Sequence, residues 1–437
     1  MGELGPMVDW LQSHLDHETG SLGVAAGKVD GLDLGVMREL VHVLGDPQDA
    51  QPVVHVTGTN GKGSVAAMVT ALLMAHGLTV GTATSPHLRS INERILLGGE
   101  PVPDGVLAEA LAGVRAVEPL LDGRPTWFEI MVAAGFRCFA EAPVDVAVVE
   151  VGLLGRYDAT NVVDGLVSVV TSVGGDHTDF AQGWEAAIAT EKAGILRPGG
   201  TAVLGDVDPA LWPIFESEGP HRLWCAGRDF RVADDRVAVG GHVVDVEGVL
   251  AEYPDLLVPL AGAHQARNAA VAVAATEAFF DRPLAPDAVA EGLAAVRVEG
   301  RCEVIGHHPL VVLDGAHNPD AVEALARTVD SEFGVVGSRY LVLGLLAGRD
   351  PERFVDAAEA LRPDLVVCVP VGEGPRRGDP VALAAAWRRR GVAAEPVSSV
   401  GAGLDRIMAA ALEEDLVVVA GSFRLLDEAR TVLATTD

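Results

Sequence analysis

The stretch Pro52–Ser64 reads PVVHVTGTNGKGS, and it decides the fold class. Its first six residues form a largely apolar run, which is typical of a strand buried on both faces of a parallel sheet. Gly58, Gly61 and Gly63 then allow the backbone to curl before a helical stretch begins. A curled turn between a strand and a helix directs several N–H groups and the positive helix end toward one anion. The stretch therefore predicts a phosphate-binding loop in an α/β protein.

Two polar side chains complete this loop. Lys62 would supply a full positive charge to the β and γ oxygens of a nucleotide, and Ser64 a hydroxyl group to Mg2+. The spacing differs from the usual GxxxxGK[ST] pattern, because Gly58 is closer to the lysine and Gly63 separates the lysine from the serine. A glycine-rich turn without a ligand is the alternative, and a lysine at this offset favours binding. The residues predicted to bind ATP here are Gly58, Thr59, Asn60, Gly61, Lys62, Gly63 and Ser64.

Short valine-rich runs alternate with alanine-rich helical stretches along most of the chain. This order predicts an α/β fold, with an N-terminal P-loop-type ATPase domain built on a mainly parallel sheet and a smaller C-terminal Rossmann-like domain. The helical pattern stops near Val296–Gly306, so we place the domains at residues 1–297 and 298–437. The Val-x-Val alternation and internal Gly-Gly of Asp229–Val246 predict a small hairpin. The predicted strands are Pro52–Thr57, Val144–Val151, Leu166–Ser172, Leu310–Asp314, Tyr340–Gly344, Leu365–Val369 and Leu416–Ala420. The predicted helices are Gly63–His76, Trp127–Glu141, Glu185–Leu196, Gln265–Phe280 and Asp320–Phe333.

Composition narrows the class of protein. The 437 residues are 49% apolar, enough for a large core, and their formal net charge is −30. A field this negative argues against non-specific binding to nucleic acid or to an anionic membrane. The four cysteines lie far apart without a CxxC pair, which suits a reducing compartment. The first residues lack a basic signal-peptide segment, and no apolar run is long enough to span a bilayer, so we expect a cytoplasmic protein.

Several other residues carry chemistry by type and position. Glu150 ends an apolar strand and His177 follows the next strand, so both are expected at the sheet edge that binds ligands in α/β proteins. They could share a divalent cation, although a glutamate at a strand end is often only solvated. Lys192 interrupts an apolar helical stretch, and its plain interpretation is a surface lysine. Asp314–Pro319 follows a strand and would form an Asn-Pro turn that caps a helix. Four histidines have no partner pattern and are expected to be ordinary loop or surface residues: His221, His242, His307 and His308.

The loop and a series of ordered motifs resemble the Mur ligase family, and Gly63 after the lysine resembles its folate branch. The motifs run in order from residue 32 to about residue 320 and then thin to Asp350 and Gly421-Ser422. They are Leu32-Asp33-Leu34-Gly35, Ser85-Pro86-His87-Leu88, Asn92-Glu93-Arg94-Ile95, Phe128-Glu129, Glu150-Val151-Gly152, Gly155–Asn161, Asp176-His177-Thr178, Glu191–Ile195, His264-Gln265, Asn268, Arg301 and Asp314–Pro319.

The resemblance implies an ATP-dependent amide ligase that adds L-glutamate to dihydropteroate, to (polyglutamyl) reduced folates, or to both, and releases ADP and Pi. Its substrates would be small molecules, and the family suggests a monomer. The implied Mg2+ ligands are Ser64, Ser85, Glu150, His177 and Lys192, with Lys192 carbamylated. Further ATP contacts would come from Asn268, Arg301 and Asp314. The implied catalytic residues are Lys62, His177, Lys192, Asp314 and His317. The predicted substrate-binding residues are Phe128, Glu129, Arg156, Tyr157 and Asp158, for several of which a purely structural role is an equal alternative.

Three positions depart from the family pattern. Leu154 stands where a second glycine is usual, Gly175 replaces a leucine before Asp176-His177, and Arg349 replaces a lysine. The first two lie beside the expected metal and pterin sites, so they bear on the substrate more than on the reaction. One alternative is therefore a Mur-type ligase with another carboxylate acceptor, such as a peptidoglycan precursor or a specialised metabolite. The other is an inactive nucleotide-binding homologue.

Overall fold

The computed structural model describes residues 4–16, 24–25, 28–29, 33–176, 178, 180–372, 374 and 377–434. Within these ranges, no helix combines the length and the apolar character that crossing a bilayer requires. The described helices are α1 Leu4–Gln12, α2 Gly35–Val43, α3 Lys62–Ala75, α4 Asp104–Val117, α5 Trp127–Glu141, α6 Trp184–Ala193, α7 Trp212–Glu216, α8 Ala263–Phe280, α9 Pro286–Ala295, α10 Pro319–Glu332, α11 Pro351–Ala358, α12 Pro380–Arg389, α13 Val400–Met408 and α14 Phe423–Ala434. The described strands are β1 Val24–Ala25, β2 Lys28–Val29, β3 Val53–Thr57, β4 Val80–Ala83, β5 Ile95–Leu97, β6 Glu100–Pro101, β7 Val146–Glu150, β8 Gly165–Ser172, β9 Thr201–Asp206, β10 Arg222–Cys225, β11 Arg231–Ala238, β12 Gly241–Glu247, β13 Glu252–Val258, β14 Glu303–His307, β15 Leu310–Asp314, β16 Arg339–Leu343, β17 Leu365–Cys368, β18 Ala393–Pro396 and β19 Leu416–Ala420.

The N-terminal domain is built on a large sheet. Its described strands number eight, in the order β10-β9-β8-β3-β7-β4-β5-β6. All pairs from β10 to β4 are parallel, whereas β5 and β6 join antiparallel at one edge. Strand β3 lies in the middle and all five of its residues are buried, as its apolar β-branched sequence predicts. The loop after β3 therefore begins at the centre of the edge where parallel sheets bind ligands.

A small antiparallel sheet, β11-β12-β13, packs against α8. Strands β11 and β12 form the hairpin predicted at Asp229–Val246, and β13 adds a third strand. His221, His307 and His308 are exposed, as expected. The expectation that His242 is an ordinary loop or surface residue is wrong, because His242 lies in β12 with its ring turned inward and is only 2% exposed. The burial of His242 could not be predicted from the local sequence, because its hydrogen-bond partners lie on other elements of the fold.

The C-terminal domain is a separate α/β unit. Its described sheet has the strand order β14-β15-β19-β16-β17-β18, in which β14 is antiparallel and the other pairs are parallel. Helices α10, α11 and α12 pack on one face, and α13 and α14 pack on the other. Helices on both faces are what buried, continuously apolar strands require. The predicted fold class, a P-loop-type domain followed by a smaller Rossmann-like domain, is confirmed.

Candidate active site

A cavity of about 1480 Å3 lies between the two domains. The carboxyl ends of β3 and β7 border it on one side, and the loops after β15, β16, β17 and β19 border it on the other. Four of the predicted site residues that the structure describes do not line this cavity: Ser64, Arg156, Asn268 and Asp314. His177 lies outside the described residues. The predicted residues that line the cavity are Gly58, Thr59, Asn60, Gly61, Lys62, Gly63, Ser85, Phe128, Glu129, Glu150, Tyr157, Asp158, Lys192, Arg301 and His317.

The glycine loop takes its shape from strand β8. Gly58 has a φ of +154°, and a Cβ atom there would overlap the Thr171 hydroxyl group, so only glycine fits. The Thr171 hydroxyl donates to the Asn60 carbonyl oxygen at 2.6 Å, and the Asn60 N–H donates to Ser172 Oγ at 3.0 Å. Gly61 has a φ of +84° and lies against Asn268, which places that predicted ATP contact beside the loop.

Lys62 is the first residue of α3. Its Nζ donates to the carbonyl oxygens of Gly58 at 3.0 Å and Thr59 at 3.3 Å, so the ammonium group sits inside the curl of the loop. Burial lowers the pKa of Lys62, whereas the nearby carboxylates of Glu150 and Asp176 oppose that shift. Ser64 is buried in the first turn of the helix. The loop thus places one cation and the N-terminus of α3 at the cavity.

Glu150 ends β7 next to this loop and is 3% exposed. Its carboxylate accepts hydrogen bonds from the Thr84 hydroxyl group and from the Ser85 N–H at 3.1 Å. A Cβ atom at Gly63 would lie 3.6 Å from both carboxylate oxygens, an ordinary contact distance, so the extra glycine lies directly beside Glu150. Thr84 was not predicted from the sequence, and only its position before Ser85 could have indicated it.

This arrangement fits a nucleotide-bound Mg2+. Among the residues that the structure describes, no group of three His, Cys, Asp or Glu side chains could hold a metal ion. At nucleotide sites, however, Mg2+ is usually bound by one or two carboxylates together with phosphate oxygens and water. Glu150 and the Ser85 hydroxyl group supply that kind of donor set beside the phosphate-binding loop. The residues present therefore suit Mg2+ carried by a nucleotide.

Lys192 lies in the last turn of α6 and is 3% exposed, so the surface interpretation is wrong. Burial lowers the pKa of Lys192 well below its usual value, and the charge of Lys62 lowers it further, while Asp176 opposes the shift. Gly155 packs directly on the Lys192 backbone, which fixes the helix end at the cavity. The neutral form of this amine is therefore more accessible than that of an exposed lysine.

Asp176 connects the two domains. It accepts hydrogen bonds from Asn318 Nδ2 at 3.5 Å and from the Arg349 guanidinium, and it lies 3.4 Å from His317 Nε2. All three partners belong to the C-terminal domain. The side-chain amides of Asn60 and Asn318 also exchange hydrogen bonds at 3.0 and 3.3 Å. The phosphate-binding loop therefore contacts the Asp314–Pro319 segment directly.

Two of the positions noted as departures, Gly175 and Leu154, lie near this point. A Cβ atom at Gly175 would lie 2.6 Å from the ring of Phe180, so the glycine makes room for that ring. The Gly175 N–H donates to Asp320 Oδ2 at 3.0 Å and adds another contact between the domains. Leu154 has a φ of +58°, and its carbonyl oxygen accepts from the Thr57 hydroxyl group at 2.5 Å.

The predicted substrate residues at the start of α5 also have structural roles. Glu129 and Thr126 form a capping box, in which the Thr126 N–H donates to Glu129 Oε2 at 2.7 Å and the Glu129 N–H donates to Thr126 Oγ1 at 3.2 Å. The ring of Phe128 packs against Gly152. Both Phe128 and Glu129 still border the cavity.

The side chains of Arg156, Tyr157 and Asp158 differ in where they lie relative to the cavity. Asp158 accepts from the Leu153 N–H at 2.7 Å and from the Thr160 hydroxyl at 2.5 Å, and burial raises its pKa. Tyr157 is 47% exposed at the cavity. Arg156 forms an ion pair with Glu218 and does not line the cavity.

Arg301 and Asp314 lie where the second domain begins. The Arg301 guanidinium lies 4.5 Å from the centre of the Phe423 ring, and burial lowers its pKa although Asp314 opposes this. Asp314 accepts from the N–H groups of Cys302 and Ala316, both at 2.7 Å, and burial raises its pKa. These two hydrogen bonds therefore stabilise the backbone conformation at the start of the Asp314–Pro319 segment.

Comparison with known proteins identifies the family. Residues 56–276 match the model of the Mur ligase middle domain, and residues 300–423 match that of the Mur ligase, glutamate ligase domain. The chain is also 39% identical over 419 residues to the dihydrofolate synthase/folylpolyglutamate synthase of Mycobacterium tuberculosis, covering 89% of this chain and 82% of that protein. The chain belongs to the Mur ligase family. The resemblance noted from the sequence motifs is confirmed.

Solved structures of similar proteins cover nearly the whole of this Mur ligase. The Mycobacterium tuberculosis folylpolyglutamate synthase complexed with ADP has a TM-score of 0.90 and 34% identity, over 98% of each chain. A bifunctional folylpolyglutamate synthase/dihydrofolate synthase with Mn, AMPPNP and L-glutamate bound has a TM-score of 0.85 and 29% identity, again over 98% of each chain. The agreement in fold extends over both domains of this Mur ligase.

Proposed function

We propose that this protein is an ATP-dependent amide ligase that joins L-glutamate to dihydropteroate, to (polyglutamyl) reduced folates, or to both, with release of ADP and Pi. The observation that carries the proposal is the convergence of the Lys62 loop, Glu150 and the His317–Asn318 segment on one interdomain cavity. The names of the similar proteins support the folate acceptor.

The chemistry explains why such a site needs both nucleotide and closure. A carboxylate does not react with an amine at neutral pH, because oxide is a poor leaving group. When an oxygen of the acceptor carboxylate attacks the γ-phosphorus of ATP, the bond to the β,γ-bridging oxygen breaks and ADP leaves. The glutamate amine then attacks the acyl phosphate, the C–O bond breaks, Pi leaves and one proton is released to solvent. Because water hydrolyses an acyl phosphate, a cavity closed by a second domain protects it.

The residues divide this work according to their type. Lys62 would stabilise the transferring phosphoryl group, and His317 and Asp314 would bring the second domain to the reacting groups. Mg2+, when bound, neutralises phosphate charge, and its proposed ligands are Ser64, Ser85, Glu150, His177 and Lys192. The proposed ATP contacts are Gly58, Thr59, Asn60, Gly61, Lys62, Gly63, Ser64, Asn268, Arg301 and Asp314. The proposed substrate contacts are Phe128, Glu129, Arg156, Tyr157 and Asp158.

We propose further that Lys192 is carbamylated. Only a neutral amine captures CO2, and the buried position of Lys192 beside Lys62 favours the neutral form. The carbamate is an anion that would suit Mg2+ and would offset the neighbouring lysine charge. A crystal structure with Mg2+ and nucleotide at neutral pH tests this, and density for an unmodified side-chain tip would contradict it.

We also propose that the domains divide at residues 297 and 298 and that the enzyme is a cytoplasmic monomer with no nucleic-acid or membrane partner. Strand β14 begins at Glu303, shortly after this division. The four cysteines are free and buried, which supports a reducing cytoplasm. The net charge of −30 supports the absence of a nucleic-acid or membrane partner. Light scattering on the purified protein tests the monomer, and a dimer mass would contradict it.

Release of Pi in the presence of ATP, Mg2+ and L-glutamate tests the reaction, with each candidate acceptor added in turn. We expect turnover with dihydropteroate or a reduced folate, and a loss of at least ~100-fold in kcat for Lys62→Ala, because the transferring phosphoryl group loses its cation. Arg231→Ala is the control, since it removes a cation that is 62% exposed in the small sheet.

Three outcomes would contradict this proposal in different ways. Turnover only with another carboxylate, such as a peptidoglycan precursor, would identify a different Mur-type ligase. Nucleotide binding without turnover of any acceptor would indicate an inactive homologue. Unchanged amide synthesis by Lys62→Ala would remove the assigned role of the loop.

A further inference from the structure

A cluster of three titratable side chains, of which two are buried and one is partly exposed, lies outside the residues that line the cavity. His242 Nδ1 lies 2.5 Å from Asp235 Oδ1, and His242 Nε2 lies 3.0 Å from Glu332 Oε1. The histidine side chain is 2% exposed and that of Glu332 is 6% exposed. Asp235 and His242 belong to the small sheet of the N-terminal domain, whereas Glu332 ends α10 of the C-terminal domain. The cluster therefore joins the two domains.

The two contacts of Nε2 belong to different protonation states of this imidazole. An unprotonated Nε2 accepts from the Gly262 N–H at 3.2 Å, whereas a protonated Nε2 donates to Glu332 Oε1 at 3.0 Å. With Nδ1–H donating to Asp235, the contact with Glu332 is a hydrogen bond only when Nε2 also carries a proton. The hydrogen bond to Glu332 is the main cause that raises the pKa of His242 to about 8, with Asp235 adding to it and burial opposing it. His264 of α8 faces the same point, and burial lowers its pKa to about 4, so it is neutral there.

Helix α10 is anchored to the N-terminal domain at both ends. At its start, Asn318 contacts Asn60, and Asp320 accepts from the Gly175 N–H. At its end, Glu332 contacts His242. The 14 residues of α10 span ~21 Å, so the cluster is about one helix length from the phosphate-binding loop. A helix of this length transmits a displacement of one end to the other.

The backbone between the domains is packed tightly along this helix. Gly262 has a φ of +102°, and a Cβ atom there would lie 2.7 Å from the Thr328 hydroxyl oxygen of α10. Only glycine allows the backbone to approach the helix this closely in this conformation. Because the Gly262 nitrogen lies 3.2 Å from His242 Nε2, the cluster and the helix contact lie at the same place.

We propose that Asp235, His242 and Glu332 are positioning residues that hold α10, and through it His317 and Asn318, against the phosphate-binding loop in the closed enzyme. The effect on turnover rests on the proposed ligase function. Since the ion pair needs the protonated imidazole, the anchor is complete below pH 6.5 and is lost as the pH rises through about 8. The closed arrangement is thus favoured at neutral pH and weakened in alkali.

Glu332→Gln tests the anchor, because it removes the charge and keeps the shape. At pH 7 we expect kcat to fall ~5- to 10-fold, with KM for ATP changed by less than ~2-fold, since α10 acts on closure rather than on nucleotide binding. Wild-type kcat should fall above pH 8, and the variant should lack this alkaline fall, so the two converge near pH 9.5. Glu323→Gln is the matched control on the same helix, because Glu323 is 51% exposed and forms an ion pair with Arg327 of the same helix.

Small-angle X-ray scattering of the unmodified protein tests the same anchor without relying on activity. For the wild type we expect a larger radius of gyration at pH 9.5 than at pH 7. For Glu332→Gln we expect the larger radius at both pH values. His242→Gln provides a second variant and should match Glu332→Gln. A wild-type radius that does not change with pH, or a pH–rate profile of Glu332→Gln equal to that of the wild type, would overturn the proposal. Absence of turnover with an intact scattering response would instead contradict the proposed function alone.

Discussion

At residue 154 a leucine adopts a left-handed backbone conformation, with a φ of +58°. A side chain in this region costs ~1–2 kcal/mol relative to glycine, the residue that the resemblance in sequence leads us to expect here. The leucine side chain offsets part of this cost, because it is 7% exposed and packs in a small cluster with Ile188. The cluster packs the loop after β7 against helix α6. A leucine at this position therefore strains the backbone, and its apolar contacts offset part of that strain.

A pair of substitutions at this position separates the two effects. We expect both Leu154→Ala and Leu154→Gly to lower the free energy of unfolding, because each removes a buried side chain worth ~2–5 kcal/mol. Leu154→Gly should nevertheless be more stable than Leu154→Ala by ~1 kcal/mol, since only glycine relieves the backbone strain. Urea denaturation measures the difference. A more stable alanine variant, which is the usual order within helices, would contradict this account.

At the scale of single elements, helix α5 combines a cap with a cavity wall. Glu129 closes the capping box with Thr126 and also borders the cavity, so its proposed role in ligand binding is separable from its role in folding. Glutamine preserves a capping box, whereas it removes the negative charge. We expect Glu129→Gln to change the free energy of unfolding by less than ~0.5 kcal/mol and to raise KM for the pterin acceptor ~10-fold, because the carboxylate no longer pairs with the heterocycle.

Thr126→Val is the control for the cap. It removes the hydroxyl group that accepts from the Glu129 N–H, so it should lower the free energy of unfolding by ~1 kcal/mol. Thermal denaturation and steady-state kinetics on both variants measure the two roles. An unchanged KM in Glu129→Gln would restrict Glu129 to its structural role.

Elements could be predicted from the sequence where one physical signal fixes them. The predicted Trp127–Glu141 and Leu310–Asp314 coincide with α5 and β15, because a capping box and a buried apolar run are local signals. The helix predicted at Glu185–Leu196 ends at Ala193, where Gly194 begins a turn. Contacts between residues far apart in the chain could not be predicted, because no local sequence pattern indicates them. The Asp176–Arg349 pair and the His242–Glu332 pair join residues separated by 173 and 90 positions, so only the tertiary structure brings them together.

For the whole molecule, charge is distributed unevenly between the surface and the cavity. The chain has 32 lysine and arginine residues against 62 aspartate and glutamate residues. Among the described residues that line the cavity, however, ten are basic and eight are acidic. Because Lys192 is proposed to be carbamylated, the cavity lining is close to electrically balanced within a negative protein, and the surface carries most of the repulsion toward anionic substrates. The basic lining residues are Lys62, Arg89, Arg94, Arg124, Lys192, Arg301, Arg349, Arg353, Arg377 and Arg424.

This uneven charge predicts that salt stabilises the folded protein. A net charge of −30 makes the compact state repel itself, and raising the ionic strength from about 0.05 to about 0.5 M shortens the screening length from ~14 to ~4 Å. We expect the midpoint of thermal unfolding to rise by ~3–6 °C over this range, which corresponds to ~1–2 kcal/mol for domains of this size. Differential scanning calorimetry in NaCl, KCl and tetramethylammonium chloride distinguishes screening from ion binding. Equal shifts with all three salts would support screening, whereas a shift with one cation only, or a fall in the midpoint, would contradict it.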